Sequence, residues 1–403
     1  MEIRRRGLPV GVFLSSAVLP PALLSGKGGA GEQSFVLDTE SRSLAGDAAY
    51  NRLVSELEKI PFSAFSRIIK KVDSTLRGNI GNETKALDRL LKPELIVFAP
   101  ALPDLGRVTV NRIQCLNDEG GGETPLCQTE FAGDPAAPVK NDNIQKIMEE
   151  AFPDETVIHT GLDAVRNGSF APEGSRIFSF DAMLNSDLEA IVRAVLAKGK
   201  LVLWVGSSGL ANSLLGIDMP VPPALAIVAS LSAVSRRQAH YAEKRGVSAV
   251  KIPLYAIIER KTDYADIANN AAAVLGKGKD LLLLPSSVYS EEERHKTEES
   301  ARRAGLRESD LGCFIKKAMG QIAALILERT KVSGIFLSGG DTALGCIESL
   351  GAGGTYIDGE AALGMPVLRI KGGNHDGLKV ITKAGAFGKE DAIFYALRKL
   401  RER

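Results

Sequence analysis

Short apolar runs, each closed by polar residues, recur along the chain: Ser34-Phe35-Val36-Leu37, Arg67-Ile68-Ile69-Lys70, Leu95-Ile96-Val97-Phe98-Ala99 and Leu201-Val202-Leu203-Trp204-Val205. Runs this short, with no alternation, suit strands buried on both faces of a parallel sheet. Longer helical patterns at 47–59 and 82–91 lie between them, which predicts βαβ units in a doubly wound arrangement. The alternation resumes with strands near 225–228, 281–284 and 334–337, a long helix over 311–330 and a glycine-rich end from Gly351 to Gly388. Gly216-Ile217-Asp218-Met219-Pro220-Val221-Pro222-Pro223 separates the halves, so the expected domains are 1–218 and 219–403. The expected fold is α/β, two domains each with a mainly parallel sheet flanked by helices, and a ligand cleft between them.

At the amino end, Arg4-Arg5-Arg6 followed by apolar residues has the outline of a secretory signal. Pro9, Pro20 and Pro21 interrupt it, and residues 8–14 read better as a strand. No later stretch reaches the ~20 uninterrupted apolar residues of a membrane helix. Fifty Lys and Arg against forty-nine Asp and Glu leave no bulk charge to attract nucleic acid or an anionic membrane. A cytoplasmic enzyme is expected, and any anion site must be built from local charge. Cys115, Cys127, Cys313 and Cys346 show no paired spacing and read as packing residues.

In open α/β sheets ligands sit beyond the carboxyl ends of strands. There the chain carries Lys71-Val72-Asp73-Ser74-Thr75-Leu76-Arg77-Gly78. Arg77 suits a bidentate grip on a carboxylate, Lys71 a point charge, and Asp73 an acceptor for a hydroxyl proton, with Ser74 and Thr75 supplying hydroxyls. The same residues would also serve a solvated loop whose Asp73 or Ser74 caps the next helix. Pro100-Ala101-Leu102-Pro103-Asp104-Leu105-Gly106-Arg107 follows the next strand, and Arg107 matters only if it turns toward Arg77. In the second half, Ser338-Gly339-Gly340-Asp341-Thr342 joins a strand to a helix and offers backbone N–H groups to phosphate. Lys383-Ala384-Gly385-Ala386-Phe387-Gly388 is a second such loop, and Ser230-Leu231-Ser232 a small polar one. None is a Walker A motif.

In this order, and together with Leu37-Asp38-Thr39-Glu40-Ser41-Arg42 and the segment from Trp204 to Ala211, these pieces resemble the four-carbon acid sugar kinases, which phosphorylate threonate, erythronate or 2-oxotetronate. The resemblance implies ATP-dependent transfer of a γ-phosphoryl group to a terminal hydroxyl, with Mg²⁺ on the phosphates. It places Lys71, Asp73, Ser74, Thr75, Arg77 and Arg107 at the acid sugar, with Asp73 and Arg77 catalytic. It places Ser230, Ser232, Gly339, Gly340, Asp341, Thr342, Lys383 and Gly385 at ATP. The expected partners are the small acid and a second copy of the chain. Family members usually open with a strand ending in Ala-Asp-Asp-x-Thr-Gly-Ala, which this sequence does not show. The expectation is therefore either a start further upstream or a shortened chain that binds without catalysis, with an exposed sheet edge beside apolar neighbours.

Overall fold

The computed structural model describes residues 3, 6, 9–21, 34–117, 122–230 and 232–402, and the chain divides into two compact units, Met1–Pro220 and Val221–Arg403. In the first unit, β1 (Val10–Phe13) and β2 (Ser34–Leu37) form a parallel pair of their own; Leu8 lies outside the described residues. Val12 and Val36, partners across this pair, are exposed.

Strands β3 (Ile68–Lys71), β4 (Leu95–Ala99), β8 (Val157–Thr160), β9 (Ile177–Phe180) and β10 (Val202–Gly206) make an all-parallel sheet in the order β3-β10-β4-β9-β8. Every residue of β4 and β10 is buried, because helices cover both faces. Ile96, Phe98, Leu203 and Val205 pack with Leu87 and Met148, whereas Leu95, Val97 and Trp204 pack with Leu188, Ile191 and Leu210. The apolar runs thus lack alternation for a physical reason: each strand serves two cores.

The stretch between β4 and β8 holds an antiparallel sheet, β5 (Arg107–Val110), β6 (Ile113–Asn117) and β7 (Glu123–Pro125), which the apolar pattern does not reveal. Its first turn needs Asn111 and Arg112 at positive φ, 50° and 75°, and Asp181 holds them there by accepting both backbone N–H groups at 2.8 and 3.0 Å.

The second unit contains β11 (Leu225–Val228), β12 (Ser248–Ile252), β13 (Leu281–Pro285), β14 (Ile335–Ser338), β15 (Gly354–Ala362), β16 (Met365–Lys371) and β17 (Lys379–Lys383) in the order β12-β13-β11-β14-β17-β16-β15. Its first five members are parallel and β15 and β16 antiparallel, so the glycine-rich end is partly an exposed ribbon. Among the described residues, no helix is long and apolar enough to cross a membrane.

Candidate functional site

Gly206, the last residue of β10, is in register with both Lys71 and Ala99, so the loops leaving β3 and β4 start side by side. Asp73 to Leu76 form a tight turn closed by the Leu76 N–H on the Asp73 carbonyl at 2.9 Å. Leu76 has φ 58° and is buried, an uncommon conformation for a branched side chain and a local store of strain.

The turn folds its own side chains together. Thr75 donates its hydroxyl to Asp73 Oδ2 at 2.9 Å, and Arg77 donates Nε to the same oxygen at 2.6 Å. Arg77 Nη1 reaches Asp134 Oδ2 at 3.0 Å, and the guanidinium lies 5.3 Å from the Phe131 ring centre. Burial raises the Asp73 pKa, but hydrogen bonds from Arg77 and Thr75 outweigh it and hold the group below its ordinary value. Backbone N–H donors at Ala137 and Ala136 and the Arg77 guanidinium lower Asp134 in the same direction. Asp73 is therefore a fixed carboxylate whose Oδ1 carries, among the described residues, only a long contact, 3.4 Å, from the Thr75 N–H.

The predicted residues in this segment are thereby brought together, but their tasks differ. Thr75 is buried and spends its hydroxyl on Asp73 and Arg77. Ser74 is pinned through its carbonyl, which accepts from Gln114 Nε2 at 2.9 Å, while its hydroxyl has no protein partner among the described residues. Lys71 is exposed; desolvation at its ammonium lowers its pKa, Arg42 and Lys70 add to this, and Asp73 and Asp38 oppose it. Arg107 stands apart: its Nη1 donates to the Leu105 carbonyl, and it lines a cavity of about 500 Å³ with Gln128, Thr129 and Glu130.

Arg42, in a segment that carries the resemblance but has no site role assigned from the sequence, completes the cationic side. It lies against Gly78, whose φ is 103° and whose added Cβ would sit 3.3 Å from Arg42 Cγ. Together with Asn79, Asn82, Lys85 and Lys140 it lines a cavity of about 570 Å³ at the start of helix Ile80–Leu91. That helix has no side-chain cap, because Asn79 donates instead to the Ser41 and Leu44 carbonyls at 3.0 and 2.8 Å. Its first N–H groups remain available to an anion. The segment carrying Arg42 is tied down by Ser41, which donates to Glu83 Oε1 at 2.5 Å, while Glu83 Oε2 pairs with Lys70 at 2.5 Å.

In the second unit, Val228, Ser338 and Lys383 are register partners at the ends of β11, β14 and β17, so three predicted loops leave from adjacent strands. Leu231 lies outside the described residues. Ser232 caps helix Ala233–Lys244, and its hydroxyl and that of Ser235 donate to the Gly385 carbonyl at 2.9 and 2.6 Å. The Gly339 N–H reaches the Lys383 carbonyl at 2.9 Å, and helix Gly340–Ser349 opens there without a side-chain cap, with Asp341 exposed and Thr342 buried in its first turn. A Cβ on Gly385 would stand 2.5 Å from Ser230 Oγ. Gly385→Ala is thus expected to destabilise this unit by about 1–3 kcal/mol in chemical denaturation, and Ser230→Gly to recover most of that loss.

Lys383 points inward. Only 3% exposed, it donates to the carbonyls of Ala384, Gly385 and Phe387 at 2.8, 3.2 and 2.9 Å. Burial penalises the cation and brings its pKa down from 10.5 to about 8. The folded state then binds this proton less firmly than the unfolded chain. The cost of burying the cation is full below pH 8 and is relieved as pH rises from 8 to 10.5. Relative to Lys383→Met, the wild-type unfolding free energy is expected to rise across that window by on the order of 3 kcal/mol in urea titrations. A flat difference would show that the ammonium is not desolvated.

Residues 2–214 match a sugar-binding N-terminal domain and residues 225–393 a nucleotide-binding C-terminal domain, a pairing that defines a small-molecule kinase. The chain is 30% identical to a D-threonate kinase of Salmonella typhimurium over 98% of its own length and 94% of that protein's. It is 27% identical to a D-erythronate kinase of Heliobacterium modesticaldum, over 90% and 87% of the two chains. With a 3-oxo-tetronate kinase of Brucella melitensis the identity is 28%, over 83% and 78%. This protein belongs to the four-carbon acid sugar kinase family. A crystal structure of a domain of unknown function from Bordetella bronchiseptica, a domain-swapped dimer with bound citrate, superposes with a TM-score of 0.57 at 25% identity, covering 100% of this chain and 95% of that one. The oxo-acid relatives are named for a ketone at position 3, where the sequence resemblance suggested position 2.

Proposed function

We propose that the protein transfers the γ-phosphoryl group of ATP to the terminal hydroxyl of a four-carbon acid sugar, with threonate the first candidate. The observation that carries this reading is the ionised Asp73 fixed by Arg77 beside the cations Lys71 and Arg42. The acid's carboxylate lies between Lys71 and Arg42, and its hydroxyls meet Ser74 and the free oxygen of Asp73. Phosphoryl transfer passes through a loose transition state that asks more for positioning than for a strong base. A carboxylate of lowered pKa suits that task, since it orients a hydroxyl without competing for its proton. Arg107 joins the acid only on leaving the Leu105 carbonyl.

ATP is held by the backbone of Gly339, Gly340 and Gly385 with Ser230, Ser232 and Thr342 around them. Loops that offer N–H groups and a helix terminus fit a polyphosphate. Mg²⁺ would neutralise charge on those phosphates, with Asp341 the carboxylate that these loops offer it. Use of ATP suits a cytoplasmic enzyme, and the domain-swapped Bordetella relative makes a second copy the favoured partner.

The test is ADP release with MgATP and a panel of D- and L-threonate, D- and L-erythronate and 3-oxo-tetronate, with phosphorus NMR locating the ester on the terminal carbon. Release that ignores the acid removes the reading. Tight binding of both ligands without turnover would leave a binding protein.

A further inference from the structure

The loop 384–389 has a consistent polarity. Among the described residues all of its carbonyls but that of Ala386 are claimed from the protein side: Gly385 by Lys383, Ser232 and Ser235, and Ala384 by Lys383. Phe387 is claimed by both Lys383 and Gln238, and Gly388 and Lys389 by Gln238. Gln238, on helix Ala233–Lys244, is fully buried and donates Nε2 to these last three carbonyls at 3.0, 3.1 and 2.7 Å, while its Oε1 has no partner among the described residues. A buried carboxamide left half satisfied costs free energy, so its placement serves the loop. Gly388, at φ 90°, leaves the room: a Cβ there would lie 3.4 Å from Gln238 Nε2 and 3.4 Å from Lys383 Cδ. With the carbonyls drawn inward, the N–H groups of Gly385, Ala386 and Gly388 have no protein acceptor among the described residues.

We infer that Gln238, acting with Lys383, is a positioning residue for the nucleotide: it turns the carbonyls of the 384–389 loop away from the ligand so that the N–H groups face the ATP phosphates. This rests on the proposed ATP site, and it makes Lys383 a support beneath the loop in place of a phosphate ligand. Neither side chain touches the nucleotide.

The test uses the full chain and Gln238→Met, which keeps length and removes the donors, with Gln238→Ala as the second variant should the first fail to fold. The apparent KM for MgATP is expected to rise about tenfold or more, while the KM for the acid stays within about twofold. Amide exchange should accelerate at 385–389 and stay unchanged in β11 and β14. In a double-mutant cycle with Lys383→Met the two losses should be less than additive, because both act on one loop. An unchanged ATP KM in a wild type that does depend on ATP overturns the inference alone, as does full additivity or an equal rise in both KM values. A wild type without saturable ATP dependence overturns the nucleotide site, and this inference with it.

Discussion

Arg77→Ala is expected to lower kcat/KM for the acid by about 100-fold, with the KM for ATP changed less than about twofold. The guanidinium is the common partner of Asp73 and Asp134 and sits by the Phe131 ring, so alanine frees the carboxylate proposed to orient the substrate and leaves two acidic groups uncompensated. Arg77→Lys should recover little, because a point charge cannot hold two carboxylates through a planar fork. Steady-state kinetics with each substrate varied in turn gives the split. An equal loss of ATP affinity would place Arg77 at the nucleotide and undo the assignment of the first unit.

Glu83→Ala is expected to cost about 3 kcal/mol or more of stability, read as a shift in the urea midpoint. Lys70 and Glu83 have side chains only 15% and 7% exposed, and alanine strands the lysine ammonium in a poorly hydrated setting with one remaining bond, to the Lys71 carbonyl at 3.0 Å. Replacing both partners by apolar residues, Lys70→Met with Glu83→Leu, should restore most of the loss, since no buried charge is then unpaired. Glu83 also accepts from Ser41, one residue before Arg42, so the acid KM should rise in Glu83→Ala even where the protein remains folded. A midpoint within about 0.5 kcal/mol of wild type would mean that the pair is solvated.

What the sequence revealed and what it concealed divide along physical lines. Strands β4, β10, β11, β13 and β14 are legible because both of their faces are buried, which writes an uninterrupted apolar run. Strand β15 has one buried residue in nine and writes no pattern, and β5 to β7 depend on a turn at Asn111-Arg112 that only the distant Asp181 explains. The Lys71-to-Gly78 segment stands out because its chemistry is concentrated in consecutive residues. Asp134, Arg42 and Glu83 do not, since each matters through a partner far along the chain. Lys383 shows the limit most clearly: a lysine before a glycine loop looks like a phosphate ligand, and only the fold shows its ammonium spent on the loop's own carbonyls.

The left-handed Leu76 imposes conflicting demands on one position. The backbone there favours glycine, while the core beneath, which includes Val72, Leu87 and Ile96, wants a large apolar side chain. No amino acid satisfies both. Glycine would relax the turn and open a cavity, and a β-branched residue would fill the core but strain the turn further. Replacement in either direction is therefore expected to lower the melting temperature, and a thermostabilising screen should leave Leu76 as it stands.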